Sequence, residues 1–208
     1  MTVSSIQTVH AQLREQGIPF EEGLTAAEIS GFETLYTLVF PPDLREFLSY
    51  GLPVSEGFPN WRTGEYVDLK GRTTIAEMLD WPAKGICFDI EHNDFWMSEW
   101  GPKPSDLHAA FKLARLHVKQ APGLVPIFSH RYLPTEPFDV GNPVLSVWQT
   151  DIIYYGADLI SYFAEEFDLP AEHCRSSEKE PRRIRFWSDV IDVSWNHGNP
   201  RQGRAHKN

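Results

Sequence analysis

The stretch from Val125 to Tyr155 constrains the fold of this chain more than any other part of the sequence. Three short apolar runs, rich in β-branched and aromatic residues, are separated there by proline, glycine and asparagine. Short runs bounded by turn residues are typical of strands joined by tight turns. The sequence therefore predicts two or three strands in this stretch, with His130, Arg131 and Asp151 at their ends.

Segments with helical spacing of apolar residues surround these strands. Thr25 and Glu28 form a capping-box sequence before an apolar stripe, and Thr74 and Glu77 repeat the pattern. The helix that begins after Thr74 is expected to be short, because Pro82 favours a helix end just before it. Further helices are predicted over residues 4–16, 41–48, 106–120, 158–167 and 184–191.

The apolar run from Gly85 to Ile90 is short, and it is predicted to be a strand that contains Cys87 as a buried thiol. Helices and strands are interspersed without a regular βαβ rhythm. The predicted fold class is therefore α+β, with a twisted and mainly antiparallel sheet packed by several helices on one side. We expect a single domain over residues 1–195 with helical extensions at both ends, followed by a disordered tail over residues 196–208.

The charge of the chain is unevenly distributed. Its net charge is −10, but residues 1–174 carry 11 basic and 25 acidic side chains, whereas residues 175–208 carry 8 basic and 4 acidic ones. An acidic body repels nucleic acid and favours cationic partners, although acidity also serves simply to keep a protein soluble. The sequence has no run of the roughly 20 apolar residues that would span a membrane and no signal-peptide pattern, so a cytoplasmic protein is expected.

Common motifs for binding nucleotides or metals, or for hydrolysis, are missing from the sequence, so no cofactor is predicted. The densest polar cluster is Glu91-His92-Asn93-Asp94. Neighbouring residues of a strand or turn point in different directions and rarely converge on one ion. A solvated turn is therefore favoured here over a metal site.

His130 and Arg131 allow two interpretations. In one, His130 is a general base oriented by Asp151, within a metal-dependent or acid–base hydrolase site that also uses His92 and Asp94. In the other, which is favoured, all three residues are structural: Arg131 pairs with a carboxylate, and His130 satisfies backbone groups at a buried corner.

Trp61, Trp96 and Trp100 lie in segments predicted to be loops. Loops with several tryptophans are costly to leave exposed unless they bind something. These side chains are therefore expected either to be exposed binding anchors or to fold back as lids on the core.

The order of the segments resembles the SMI1/KNR4 family, which belongs to the SUKH superfamily. The residues that carry this resemblance are Leu24–Glu33, Pro41–Leu48 with Gly51, Val144–Val147, Asp151–Tyr155 and Asp158–Phe167. The similarity covers residues 20–168, and the chain has additional segments around residues 58–120 and after residue 168. The resemblance implies an α+β domain without catalytic activity. Bacterial members of the family include immunity proteins that neutralise polymorphic toxins, and fungal members are interaction scaffolds.

The leading hypothesis is therefore a non-enzymatic protein-binding domain whose partner is a protein, for example a basic toxin domain attracted by the acidic body. Its expected interface consists of Trp61, Glu91, Asp94, Trp96 and Trp100.

Overall fold

The computed structural model describes residues 5–68, 71–170 and 180–198. The helices in these ranges are α1 (Ser5–Glu15), α2 (Ala26–Tyr36), α3 (Pro42–Tyr50), α4 (Ile75–His92), a 3₁₀ turn (Ser98–Trp100), α5 (Leu107–Gln120), α6 (Leu159–Glu166) and α7 (Trp187–Gly198). The strands are β1 (Phe20–Glu21), β2 (Leu52–Pro53), β3 (Glu65–Asp68), β4 (Gly71–Thr74), β5 (Leu124–Phe128), β6 (Arg131–Pro134), β7 (Val144–Trp148) and β8 (Asp151–Gly156).

The main sheet has four strands in the order β5-β6-β7-β8, and all of its pairings are antiparallel. Two short antiparallel pairs, β1 with β2 and β3 with β4, lie outside it. The α+β prediction is thus confirmed. The strand-rich stretch that begins near Val125 contains all four strands of the main sheet, where two or three were predicted.

Helices cover both faces of the main sheet. Successive strand residues point to opposite faces, so Val125 and Leu133 pack with α1, α2, α3 and α6, whereas Leu124 and Tyr132 pack with α4, α5 and α7. The expectation of helices on one side only is wrong. The two apolar clusters share the sheet as a common wall.

Helix α4 continues through Pro82, so the predicted end of the helix at this residue is wrong. Proline has no backbone N–H and leaves the carbonyl four residues earlier, that of Met78, without its helical partner. The buried hydroxyl of Tyr132 donates a hydrogen bond of 3.0 Å to that carbonyl oxygen. Tyr132 on the sheet thereby replaces the missing bond and holds α4 against the strands.

The run from Gly85 to Ile90 is helical and belongs to α4, so its prediction as a strand is wrong. Ile75, Met78, Ile86 and Ile90 are buried at helical spacing along one side of α4. A six-residue apolar run does not distinguish a strand from part of a buried helix. Cys87 is buried as expected, but it lies in a helix.

The last helix, α7, continues to Gly198, and the predicted tail therefore begins three residues too early. Residues 199–208 lie outside the described residues. Within the described ranges, none of the helices has the length and apolar character required to cross a membrane.

Candidate functional site

The turn between β7 and β8 lies directly on α4. An ideal Cβ placed on Gly85 would come within 2.6 Å of the Cα of Gln149 in this turn, so only glycine permits this approach. One turn further along α4, the buried carboxylate of Asp89 accepts hydrogen bonds from the backbone N–H of Thr150 at 2.8 Å and from its hydroxyl at 2.5 Å. These contacts fix the tip of the β7–β8 hairpin on the helix.

Helix α7 holds the same turn from another side. The hydroxyl of Ser194 donates to the carbonyl oxygen of Thr150 at 2.6 Å, and the hydroxyls of Tyr154 and Ser188 lie 2.5 Å apart further along β8. The tip is therefore bonded to two helices. Groups held in this way present their side chains without further ordering.

The fixed tip exposes a tryptophan. Trp148, the last residue of β7, retains 45% of its accessible surface. Its ring centroid lies 6.2 Å from that of Trp81 on α4 and 6.1 Å from that of His130 in the β5–β6 turn. Large apolar side chains exposed on a rigid support are typical anchors of protein interfaces.

The face of α4 beside this tip carries Trp81, Lys84 and Phe88 at helical spacing. Phe88 is also 45% exposed, and its ring centroid lies 4.3 Å from that of His92 one turn later. We refer to Trp81, Lys84, Phe88, His130 and Trp148 as the Trp81–Trp148 surface.

A cavity of about 320 Å³ borders this surface at Trp81 and Lys84, between α4 and the β3–β4 hairpin. Its lining includes Tyr66, and the pKa of the Tyr66 hydroxyl is raised to about 12 by burial and by the nearby Asp68 carboxylate. The Tyr66 hydroxyl is therefore protonated at neutral pH, and it donates to Asp68 Oδ2 at 3.4 Å.

Glu77 lies on the same wall of the cavity. The Glu77 carboxylate accepts hydrogen bonds from the Thr73 hydroxyl and from the backbone N–H and hydroxyl of Thr74. These bonds, that of Thr73 most of all, lower the pKa of Glu77, so Glu77 is ionised at neutral pH. The predicted capping box between Thr74 and Glu77 is present. The cavity thus places a neutral phenol, carboxylates and the Trp81 ring beside the exposed surface.

Of the three predicted corner residues, Arg131 pairs with a carboxylate. Arg131 is buried, donates to Glu166 at 3.2 Å and to the Ser146 hydroxyl at 2.9 Å, and lies 3.7 Å over the ring of Tyr155. Its guanidinium also donates to His130 Nε2.

The ring nitrogens of His130 therefore contact side chains, whereas backbone groups were predicted. Nδ1 of His130 lies 3.1 Å from the Ser129 hydroxyl, and Nε2 faces the Arg131 guanidinium. A ring engaged at both nitrogens is poorly placed to act as a general base. Asp151, the third predicted corner residue, lies opposite Trp148 in the β7–β8 pairing and is exposed.

Two of the predicted binding tryptophans are buried. Trp61 retains 1% of its accessible surface and packs edge-on against Phe40 at a centroid distance of 4.7 Å. Trp100 retains 7% and stacks on His117 at 5.2 Å. Both fold back onto the core, which is the second of the two arrangements expected for them, so their assignment to the binding interface is wrong.

The other members of the predicted interface lie at the end of α4 and in the following loop. Trp96 is partly buried and donates from its ring N–H to the carbonyl oxygen of Gly101 at 2.7 Å. Glu91 and Asp94 are exposed, and Asp94 pairs with Lys103 at 2.6 Å. The structure does not bring these residues together with Trp61, which belongs to the opposite apolar cluster.

The residues of the hydrolase alternative make separate contacts. His92 packs on Phe88, Asp94 pairs with Lys103, and His130 contacts Arg131. Within residues 5–68, 71–170 and 180–198, no three His, Cys, Asp or Glu side chains are grouped so that they could hold a metal ion.

The sequence analysis did not identify Trp81, Phe88 and Trp148 as site residues. Trp81 and Phe88 fall at helical spacing from Glu77, but this pattern becomes visible only if α4 continues past Pro82. Trp148 immediately precedes the Gln149-Thr150 turn, and a large aromatic residue at a hairpin tip was the signal available for it.

A second exposed groove lies at the other end of the main sheet, between the α2–α3 connection and the loop that follows β6. Its volume is about 760 Å³, and its lining includes Val39, Lys119, Thr135 and Phe138. Phe138 retains 61% of its accessible surface. This groove provides a control region for the Trp81–Trp148 surface.

Comparison of the chain with protein-family models, curated proteins and solved structures finds no match.

Proposed function

We propose that this chain is a non-enzymatic, cytoplasmic protein-binding domain of SMI1/KNR4 type, and that it binds a basic protein partner through the Trp81–Trp148 surface. The observation that carries the proposal is the half-exposed Trp148 on a hairpin tip that is bonded to α4 and α7. A preordered aromatic anchor loses little conformational entropy on binding.

The charge of the chain supports a basic partner. Residues 1–174 carry an excess of 14 acidic side chains, and Asp151 is exposed directly across the strand pair from Trp148. Complementary charge speeds association and disfavours acidic partners such as nucleic acids.

By its resemblance to SMI1/KNR4 proteins, the partner class we propose is a toxin domain that this chain neutralises. A basic nuclease-type toxin would be drawn to the acidic body of the chain, and its neutralisation requires tight binding without chemistry on either protein. This part of the proposal rests on the resemblance and on charge.

The test is co-expression with the product of a neighbouring toxin-like gene, followed by titration of the purified pair. We expect the wild-type chain to rescue growth and to form a complex. Trp148→Ala should weaken binding by about 30-fold or more, which corresponds to the roughly 2 kcal/mol of an interface hot spot.

Phe138→Ala is the matched control, because it truncates an even more exposed aromatic residue at the opposite end of the sheet. It should leave the affinity unchanged. Equal losses for the two variants would refute the assignment of the surface, and the absence of both rescue and complex would count against the immunity role.

A further inference from the structure

The path of α7 brings the end of the described chain to the hairpin tip. Ser188 faces Tyr154 in the middle of β8, and Ser194 bonds Thr150 at its start, so α7 runs antiparallel to β8 and towards the tip. Gly198, at the end of the helix, lies four residues beyond Ser194, or about 6 Å further along the axis.

The segment that follows is long enough to cover the Trp81–Trp148 surface. Trp148 is two residues from Thr150, which is a separation of at most about 7 Å. Residues 199–208 span up to about 33 Å when extended. The distance from Gly198 to Trp148 and across the adjacent face of α4 therefore falls within their reach.

The charge of this segment complements that of the tip. Residues 199–208 contain Arg201, Arg204 and Lys207 and no acidic residue. Asp151 and Glu91 are exposed beside the tip and at the end of α4. Glu91 lies 3.6 Å from His92 Nε2, and Asp151 forms no ion pair with any described residue.

The aromatic side chains of the surface suit the same segment. Guanidinium groups stack on aromatic faces while they pair with carboxylates, and this combination distinguishes arginine from lysine. Phe88 and Trp148 are each 45% exposed. Phe88 shares α4 with Glu91, and Trp148 lies opposite Asp151 in the β7–β8 hairpin. The tip thus offers rings and carboxylates together.

We propose that residues 199–208 bind the Trp81–Trp148 surface of their own chain and that a protein partner must displace them. The first half of this statement is independent of any partner, and the second rests on the proposed function. The bound segment is a stand-in for the partner, so the partner is expected to present a short stretch rich in arginine and lysine to the same surface. Displacement makes the apparent affinity for the partner weaker than the intrinsic one.

The first experiment uses the full chain without a partner. Oxidative footprinting measures the accessibility of Trp148 and Phe88 in the wild-type protein and in a variant that combines Arg201→Ser, Arg204→Ser and Lys207→Ser. The modification rate of both side chains should rise several-fold in the variant, and in the wild type it should rise with salt because salt screens the attraction. Phe138, at the opposite end of the sheet, should be unaffected.

A control variant with Lys112→Ser and Lys119→Ser removes exposed positive charge from α5 and should leave the footprint of Trp148 unchanged. Zero-length crosslinking in the wild type should join Lys207 to Asp151 or Glu91 within one chain. A footprint that does not respond to the triple substitution would overturn the proposal. Crosslinks that form only between chains, and increase with protein concentration, would assign the surface to a second copy and would equally overturn it.

The second experiment separates this inference from the proposed function. With a partner in hand, the triple-serine variant should bind about tenfold more tightly if the segment covers the surface about nine-tenths of the time. Suppose that Trp148→Ala loses partner binding but the triple substitution changes neither the footprint nor the affinity. This result would refute the binding of residues 199–208 to the surface and would leave the proposed function standing. A footprint that responds to the triple substitution, together with a failure of co-expression to yield any complex, would support the binding of residues 199–208 and count against the proposed function.

Discussion

Trp61 and Trp148 lie in two regions whose exposure is the reverse of what their sequence context predicts. Trp61, in a predicted loop and assigned to the expected binding interface, is enclosed by the apolar cluster that α1, α2, α3 and α6 form on one face of the sheet. Trp148, in a stretch expected to be strand core, is half exposed at the tip of a hairpin.

The difference lies in what surrounds each indole. Trp61 contacts Phe32, Tyr36 and Phe40, so its surroundings are other rings that close around it. The segment that carries Trp148 is held through its backbone by Asp89 and through Gly85, which leaves the ring itself at the surface. One tryptophan stabilises the fold, whereas the other is supported by it.

The most direct way to break this comparison is to truncate each indole in turn. Trp61→Ala should lower the free energy of unfolding by about 3–5 kcal/mol, because it removes a fully buried side chain and leaves a cavity. Trp148→Ala should lower it by less than about 1 kcal/mol, as expected for a partly exposed position. Urea unfolding followed by circular dichroism measures both. Similar losses for the two variants would contradict the comparison.

The dependence of stability on pH tests the contrast between the two regions further, because the buried His10 packs against the same apolar cluster as Trp61. The pKa of His10 is lowered from 6.5 to about 4, chiefly by burial, against the opposing effect of its 2.9 Å hydrogen bond to the Phe47 carbonyl. The unfolded chain therefore binds this proton more readily than the folded one. Stability should be intact above about pH 6.5 and fall as the pH approaches 4, by up to about 3 kcal/mol.

Unfolding measured between pH 7.5 and 4 tests this expectation. His10→Phe should flatten this part of the profile, whereas His108→Gln, at an exposed position of α5, should not. An unchanged slope in His10→Phe would show that other groups carry the pH dependence.

The smallest of these effects concerns the support of the tip. Gly85→Ala should destabilise the protein by about 1–3 kcal/mol, because the new methyl group would overlap the backbone of Gln149. Gly31→Ala is the matched control, since Gly31 lies inside α2 with nothing within 4 Å of the added Cβ. It should be neutral or stabilising by up to about 1 kcal/mol. Thermal unfolding compares the two, and equal behaviour would show that the tip does not depend on this close approach.

Local signals in the sequence predicted much of the fold. The capping boxes at Thr25 and Thr74 both form, because a hydroxyl and a carboxylate three residues apart satisfy each other's backbone partners without tertiary help. The strands near Val125 were also recoverable, since β-branched runs bounded by turn residues depend on local composition.

The remainder depended on partners distant in sequence. Pro82 is tolerated inside α4 because Tyr132, 50 residues later, supplies a hydrogen bond to the Met78 carbonyl. The sequence near Pro82 does not indicate this distant partner. The same holds for the site: the exposure of Trp148 follows from contacts of its turn with α4 and α7, which a linear pattern does not contain.

The bonds that Thr150 makes to Asp89 and Ser194 have a consequence for the kinetics of recognition. A turn tied to two helices has no closing step to complete after encounter. Once residues 199–208 are displaced, collision and charge therefore set the association rate, and differences in affinity between variants of this surface would appear in the lifetime of the complex. The same rigidity narrows the range of shapes that the tip can accept. Selectivity would then reside in the partner's fit to Trp148 as it already stands.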